Sequence, residues 1–264
     1  MDKDYNAIAK RVIYRPAARN NLPKILVYAR NKKGKTTFSI SAGVENTLVL
    51  DPENGTEEMK KKNPHVWPIN TWEDIDDAYY YLKYGDHNYT WVSVDGLTRF
   101  ANMALKYVMR LEEEKSLVRI PGMVQLKDYG KSGELMKDLL MRFHNLPMGV
   151  VYTCQERQAD GGSSEPDEDD DAEESSIVYI PDLPKGVRNA VNALVGVIGR
   201  LYVVRIQPDP DGPIKSERRL WLGESTKYDT GARSEYNLPD MIRNPTIPKL
   251  IRLIRSGTTA IPKK

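Results

Sequence analysis

Residues 24–39 read Lys-Ile-Leu-Val-Tyr-Ala-Arg-Asn-Lys-Lys-Gly-Lys-Thr-Thr-Phe-Ser. Ala29, four residues and then Gly34-Lys35-Thr36 fit the Walker A spacing, with Ala where the first Gly usually stands. Such a loop works through its backbone. The amides of Ala29, Arg30, Asn31, Lys32, Lys33, Gly34, Lys35, Thr36 and Thr37 turn inward and make a concave anion site. A helix starting near Gly34 adds unpaired N–H groups and the positive end of its dipole. The Lys35 ammonium belongs between the β- and γ-phosphates of a nucleoside triphosphate, and the Thr36 hydroxyl on Mg²⁺. Gly34 lets the backbone come close where a Cβ would intrude. Ala29 is a mild departure, costly only if that position has a positive φ.

Three further polar residues end apolar runs. Trp91-Val92-Ser93-Val94-Asp95 is an apolar strand closed by an acid, the Walker B arrangement, whose carboxylate holds Mg²⁺ through water. Leu48-Val49-Leu50-Asp51-Pro52-Glu53 carries two acids; Glu53 is expected to orient the attacking water as general base, with Asp51 as its rival. Val150-Val151-Tyr152-Thr153-Cys154-Gln155 places an amide at a strand tip, where Gln155 is expected to sense the γ-phosphate.

Positioning these groups takes a sheet. Strands are expected over 24–28, 47–50, 66–69, 90–94 and 149–153. Helices are expected over 5–13, 36–43, 71–84, 100–114 and 133–144. A helix over 183–197, a hairpin of 200–207 with 218–223 and a last helix over 246–256 follow. The alternation implies an α/β fold: a mostly parallel sheet flanked by helices, with a C-terminal β-hairpin added antiparallel. In such sheets ligands bind at the carboxyl ends of the strands, where the loop, Glu53, Asp95 and Gln155 all fall. The chain divides into a lead-in (1–23), a core (24–158), an acidic insert expected to be disordered (159–176) and a C-terminal part of the same domain (177–264).

The formal net charge is +2, but nine acids and no base lie between 160 and 174, so the rest of the chain carries +11. A basic body favours polyanionic partners. His65, His87 and His144 lack metal-site spacing, and the apolar runs are too short for a membrane span. A single cysteine, Cys154, and an N-terminus without an apolar leader core point to the cytoplasm.

Taken in order, the loop ending Gly-Lys-Thr-Thr, the acid in Leu-Asp-Pro-Glu, the Asp95 strand and the Gln155 strand end resemble RecA-like ATPases. The closer likeness is to phage-encoded AAA/RecA-type ATPases of single-strand annealing and recombination. Asp-Tyr-Gly at 128–130, Tyr-Ile-Pro-Asp-Leu-Pro at 179–184 and Asn-Pro-Thr at 244–246 also look like that family, over about residues 22–255. The resemblance implies a RecA-like fold, ATP and Mg²⁺ as ligands, and catalytic roles for Lys35, Glu53, Asp95 and Gln155. It also implies action on single-stranded DNA, assembly into a ring or filament, and work beside a single-strand-binding protein, in the host cytoplasm. Cations after the hairpin, Lys227 and Arg233, are the candidates to reach a neighbour's ATP. The chain departs from the family where an acidic segment replaces the DNA-binding loop after the sensor Gln. Lys115, Arg119, Lys127, Tyr129 and Lys131 are the better DNA candidates, since cations and an aromatic ring suit a sequence-tolerant single-strand site. The alternative is a nucleotide-dependent interaction module with little hydrolysis, docking through its acidic loop. A nucleotide kinase is disfavoured because no Arg-rich lid is seen, and no Asn-Lys-x-Asp motif reads guanine.

Overall fold

The run Lys24–Ala29 forms β1, and every residue after Lys24 in it is buried. A strand buried on both faces belongs in the middle of a parallel sheet, and there it lies. In the computed structural model, which describes residues 3–13, 22–116, 118–160, 177–208 and 212–257, ten strands form one sheet. The remaining strands are β2 (Thr47–Asp51), β3 (His65–Pro68), β4 (Trp91–Asp95), β5 (Gly149–Asp160), β6 (Ile177–Pro181), β7 (Val197–Ile206), β8 (Lys215–Trp221), β9 (Gly231–Ala232) and β10 (Met241–Arg243). Their order is β10-β8-β7-β1-β5-β4-β2-β3, with β6 beside β5 and β9 beside β7. From β7 through β3 the neighbours run parallel. The β7–β8 hairpin and β10 run antiparallel at one edge.

Alternation along β1 divides the core. Leu26 and Tyr28 face a layer made by α3 (Glu73–Tyr84), α4 (Leu97–Glu114), α5 (Leu126–His144) and α6 (Lys185–Leu194). Ile25, Val27 and Ala29 face α2 (Lys35–Ser39) and α7 (Ile247–Ser256). One more helix, α1 (Tyr5–Val12), precedes the sheet; all its residues are exposed or half-exposed, and Asp4 caps it. Among the described residues no helix is long and apolar enough to cross a membrane.

Several boundaries differ from expectation. The helix after the phosphate loop is five residues of α-helix and one 3-10 turn (Ile40–Ala42). Ser39 and Ser41 hydroxyls donate back to the carbonyls of Thr36 and Phe38, and Gly43 ends it at φ 134°. Helix α4 starts at Leu97, not 100. Helix α5 starts at Leu126, not 133, because Gln125 and Asp128 form a reciprocal capping box. Gly130 and Gly133 sit inside α5 with open space around them. Helix α3 starts at Glu73 after Trp72, and the turn before it is closed by Thr71 and Asp74: the Thr71 hydroxyl accepts from Asp74 N at 3.3 Å while Asp74 Oδ2 accepts from Thr71 N at 2.8 Å.

Strand β5 runs past 153 to Asp160 and pairs antiparallel with β6. The core boundary placed at 158 therefore falls inside a strand. Of the acidic insert, 159 and 160 belong to that strand, while 161–176 lie outside the described residues. The parts 24–158 and 177–264 share one sheet, since β7 pairs with β1.

Candidate functional site: a phosphate loop ringed by strand ends

The loop leaves β1 at Ala29 and enters α2 at Gly34. Positive φ occurs at Lys32 (61°) and Gly34 (93°), while Ala29 completes the extended strand and is fully buried. Alanine therefore fits the first loop position without strain. Because α2 is so short, its macrodipole is small; the anion-binding donors are chiefly the loop amides. Lys35 Nζ folds over the loop, 3.2 Å from Ala29 O and 3.4 Å from Arg30 O. Burial lowers the Lys35 pKa, opposed by the charge of Asp95.

Strand β5 lies between β1 and β4, so Ala29 pairs with Gln155 and Asp95 with Thr153. This register brings Thr36 Oγ1 to 2.6 Å from Asp95 Oδ2. Thr153 Oγ1 donates to Asp95 Oδ1 at 2.5 Å and accepts from Gly96 N at 2.8 Å. Burial raises the Asp95 pKa, while the two hydroxyls favour its carboxylate. One hydroxyl beside one buried carboxylate fits Mg²⁺, which keeps several waters and takes its other oxygens from phosphates.

The two acids at the end of β2 and just beyond it have different places. Asp51 is buried, and its carboxylate accepts from Glu53 N (2.9 Å), Thr56 N (2.9 Å) and Thr56 Oγ1 (2.7 Å). It ties the turn together. Glu53 is carried by that turn, and its Oε1 is 3.8 Å from where a Cβ on Gly96 would stand, next to Asp95. Gln155 has its backbone held by Thr98 Oγ1 (3.2 Å) and Asp182 N (2.8 Å). Its side-chain amide has no partner among the described residues.

Sequence reasoning missed Thr153, which orients Asp95, and Glu156. The Glu156 carboxylate is buried, paired with Arg200 at 2.6 Å and with Arg30 of the loop at 3.5 Å. Arg200 in turn lies 4.5 Å from the ring centres of Tyr179 and Tyr228. In the sequence Thr153 and Glu156 show only as a hydroxyl and a charge flanking the Cys154-Gln155 strand end.

The cation set proposed for DNA stands elsewhere, at the α4–α5 corner. Arg119 must be withdrawn from it: its guanidinium is buried against Asp128 in a bidentate pair, at 3.1 Å on one side, which clamps the connection to the α5 cap. Lys127 and Tyr129 lie on α5 rather than in a loop, and Lys127 and Lys131 both contact Glu112, at 3.3 and 2.7 Å. Lys115 caps α4, and Tyr129 is exposed. Lys227 is exposed, its carbonyl accepting from Tyr179 N at 2.8 Å. Arg233 lies at the amino end of β7, its side chain donating to Ala193 O at 2.8 Å, at the end of the sheet opposite its own phosphate loop.

A loop between β1 and α2, a hydroxyl–carboxylate pair across one intervening strand and an acid over that pair define a P-loop ATPase fold on a mostly parallel sheet flanked by helices. A family model described as AAA domain matches residues 21–234, and the chain belongs to this AAA-domain family. Among solved structures, a KaiC-like protein from the hyperthermophilic archaeon Pyrococcus horikoshii OT3 is similar at 13% identity and a TM-score of 0.44, over 85% of this chain and 90% of that one. No curated protein matches the sequence.

Proposed function

We propose that this chain binds Mg-ATP at the 29–37 loop, hydrolyses it, and acts on single-stranded DNA as an oligomer in phage-type recombination or strand annealing. The observation that carries the hydrolytic part is the convergence of Lys35, the Thr36–Asp95 pair and Glu53 on one mouth at the strand ends. Mg²⁺, held by Thr36 and through water by Asp95, would neutralise charge on the β- and γ-phosphates. Glu53 orients a water for in-line attack on the γ-phosphorus and takes its proton, and the bond to the leaving β-phosphate oxygen breaks. Lys35 and the loop amides hold the charge that develops on the equatorial oxygens. Gln155, beside the loop in β5, contacts the γ-phosphate.

The DNA part is supported by the basic body and by Lys115, Lys127, Lys131 and the exposed Tyr129 ring. In a ring or filament, Lys227 or Arg233 would face the neighbour's nucleotide. ATP turnover measured with and without single-stranded DNA, beside a mass measurement, tests the proposal. Turnover abolished by Lys35→Ala and stimulated by DNA is expected; wild-type turnover in Lys35→Ala sinks the site assignment.

A second reading, a nucleotide-dependent interaction module, is favoured by the chain of contacts from Arg30 through Glu156 and Arg200 to Tyr179 in β6. That ribbon carries the acidic segment. A DNA-independent, slow ATPase without salt-sensitive DNA binding selects this reading.

A further inference from the structure

The strand order gives the bound nucleotide a direction. On one side of β1 lie β5, β4 and β2, which bring Gln155, Asp95 and Glu53; on the other lie β7 and β8. A triphosphate whose γ end meets Asp95 and Glu53 must leave the loop at its other end, toward β8. There the β7–β8 ribbon rises beyond β1: Tyr28 pairs with Arg200, while Arg218 stands opposite Val203, three residues or about 10 Å higher. Leu220 and Leu222 pack with Phe38 of α2, and Arg218 continues their row past the edge of the core, over the loop. A Cβ on Gly34 would lie 2.6 Å from Arg218 Nε and 3.1 Å from its Cζ. The guanidinium has no hydrogen-bond or ion-pair partner among the described residues. A free cation thus stands on a loop already lined with donors and lysines, an arrangement complementary to an anion.

Beside Arg218 a cleft of about 420 Å³ opens from Thr37, within the range of small-molecule sites. Ile40, Val44 and Pro245 offer apolar surface, and Lys62 and Asn244 offer polar edges. The 244–246 turn is tied at both ends: Asn244 N donates to Arg218 O at 2.7 Å, and Ile247 N to Ser41 Oγ at 2.8 Å. Asn244 holds a left-handed φ of 44° ahead of a proline, a conformation that costs energy for a non-glycine. Its side-chain amide has no protein partner among the described residues.

We propose that this cleft receives the nucleoside of the bound nucleotide: Asn244 hydrogen-bonds the edge of the base, Ile40, Val44 and Pro245 cover its face, and Arg218 spans the ribose and the α-phosphate. This rests on the phosphate-loop reading of the preceding subsection.

Calorimetry with Mg-ADP and with Mg-pyrophosphate, which has no base or ribose, tests it on the full chain. Asn244→Gly keeps the left-handed turn and removes only the amide; Arg218→Ala removes the cation. Wild type should bind ADP more tightly than pyrophosphate. Asn244→Gly should weaken ADP by about tenfold and leave pyrophosphate unchanged, and Arg218→Ala should weaken ADP by at least as much, the loss of one hydrogen bond or charged contact each. ADP affinity within twofold of wild type in both variants overturns the proposal. Equal losses for ADP and pyrophosphate in Asn244→Gly also overturn it, since the loop rather than the base would then be affected. ADP bound no tighter than pyrophosphate by wild type overturns the cleft while leaving the loop intact. A wild-type chain that binds neither ligand overturns the phosphate loop itself.

Discussion

Asp51 and Glu53 are two residues apart, and the structure places them differently, Asp51 bonded inside the turn and Glu53 beside Gly96; paired substitutions test the duties proposed for them. The Asp51 carboxylate accepts three hydrogen bonds inside the protein, one on Oδ1 from Glu53 N and two on Oδ2 from Thr56. Asp51→Asn keeps the shape but has one acceptor oxygen. Turned toward Thr56, it retains two bonds and sets its NH₂ against Glu53 N–H, donor against donor. The loss of one charged hydrogen bond, with that half-buried N–H left facing another donor, costs about 2 kcal/mol. In a chain of this size that is a fall of roughly 4–8 °C in Tm. Glu53→Gln touches no such network, so stability should stay within about 0.5 kcal/mol. Turnover in Glu53→Gln should fall by about 10²–10⁴-fold with nucleotide affinity kept, the usual contribution of a positioned base. The assays are thermal unfolding, nucleotide binding and single-turnover hydrolysis on both variants. A stable, inactive Asp51→Asn beside an active Glu53→Gln would refute the reasoning and exchange the roles.

Two further outcomes are expected. Burial lowers the Lys24 pKa to about 8, and its ammonium donates to the carbonyls of Leu146 and Met148. Between about pH 8 and its unfolded value near 10.4 Lys24 binds its proton in the unfolded chain only, so its own contribution to stability rises with pH in that window, and Lys24→Met removes that contribution. The opposite sign comes from the Cys154 thiol, pushed up to about 12 by burial, above about pH 9, and from buried Tyr28 and Tyr152 above about pH 10, since all three hold their protons more firmly folded than unfolded; urea midpoints against pH, with and without Lys24→Met, check both arms. Gly149→Ala would place a Cβ 2.3 Å from the buried Trp91 ring, paired with it across β4 and β5, and should lower stability by about 2–3 kcal/mol in the same titration.

What could be read from the chain alone was whatever local physics controls. The apolar runs at 25–28, 48–50, 92–94 and 150–152 are strands because each is short, rich in β-formers and closed by a polar residue, and all four became buried strands of the sheet. The Gly-Lys-Thr spacing marked the loop, because backbone amides and one glycine suffice to shape an anion site. Helix α5 starts ahead of the expected 133 because the Gln125–Asp128 capping box opens it, and Gly130 and Gly133 lie within it.

Tertiary structure decided which charged group does what, since charge and size are visible in a sequence but partners are not. Arg119 reads as a surface cation until Asp128 is seen to bury it; Asp51 reads as a catalytic rival until Thr56 is seen to occupy it. Arg218 reads as one more basic residue in a hairpin. Only the register of β8 against β7, and of β7 against β1, carries it over Gly34. Strand pairing sums contacts between segments nearly two hundred residues apart, and no local pattern encodes that sum.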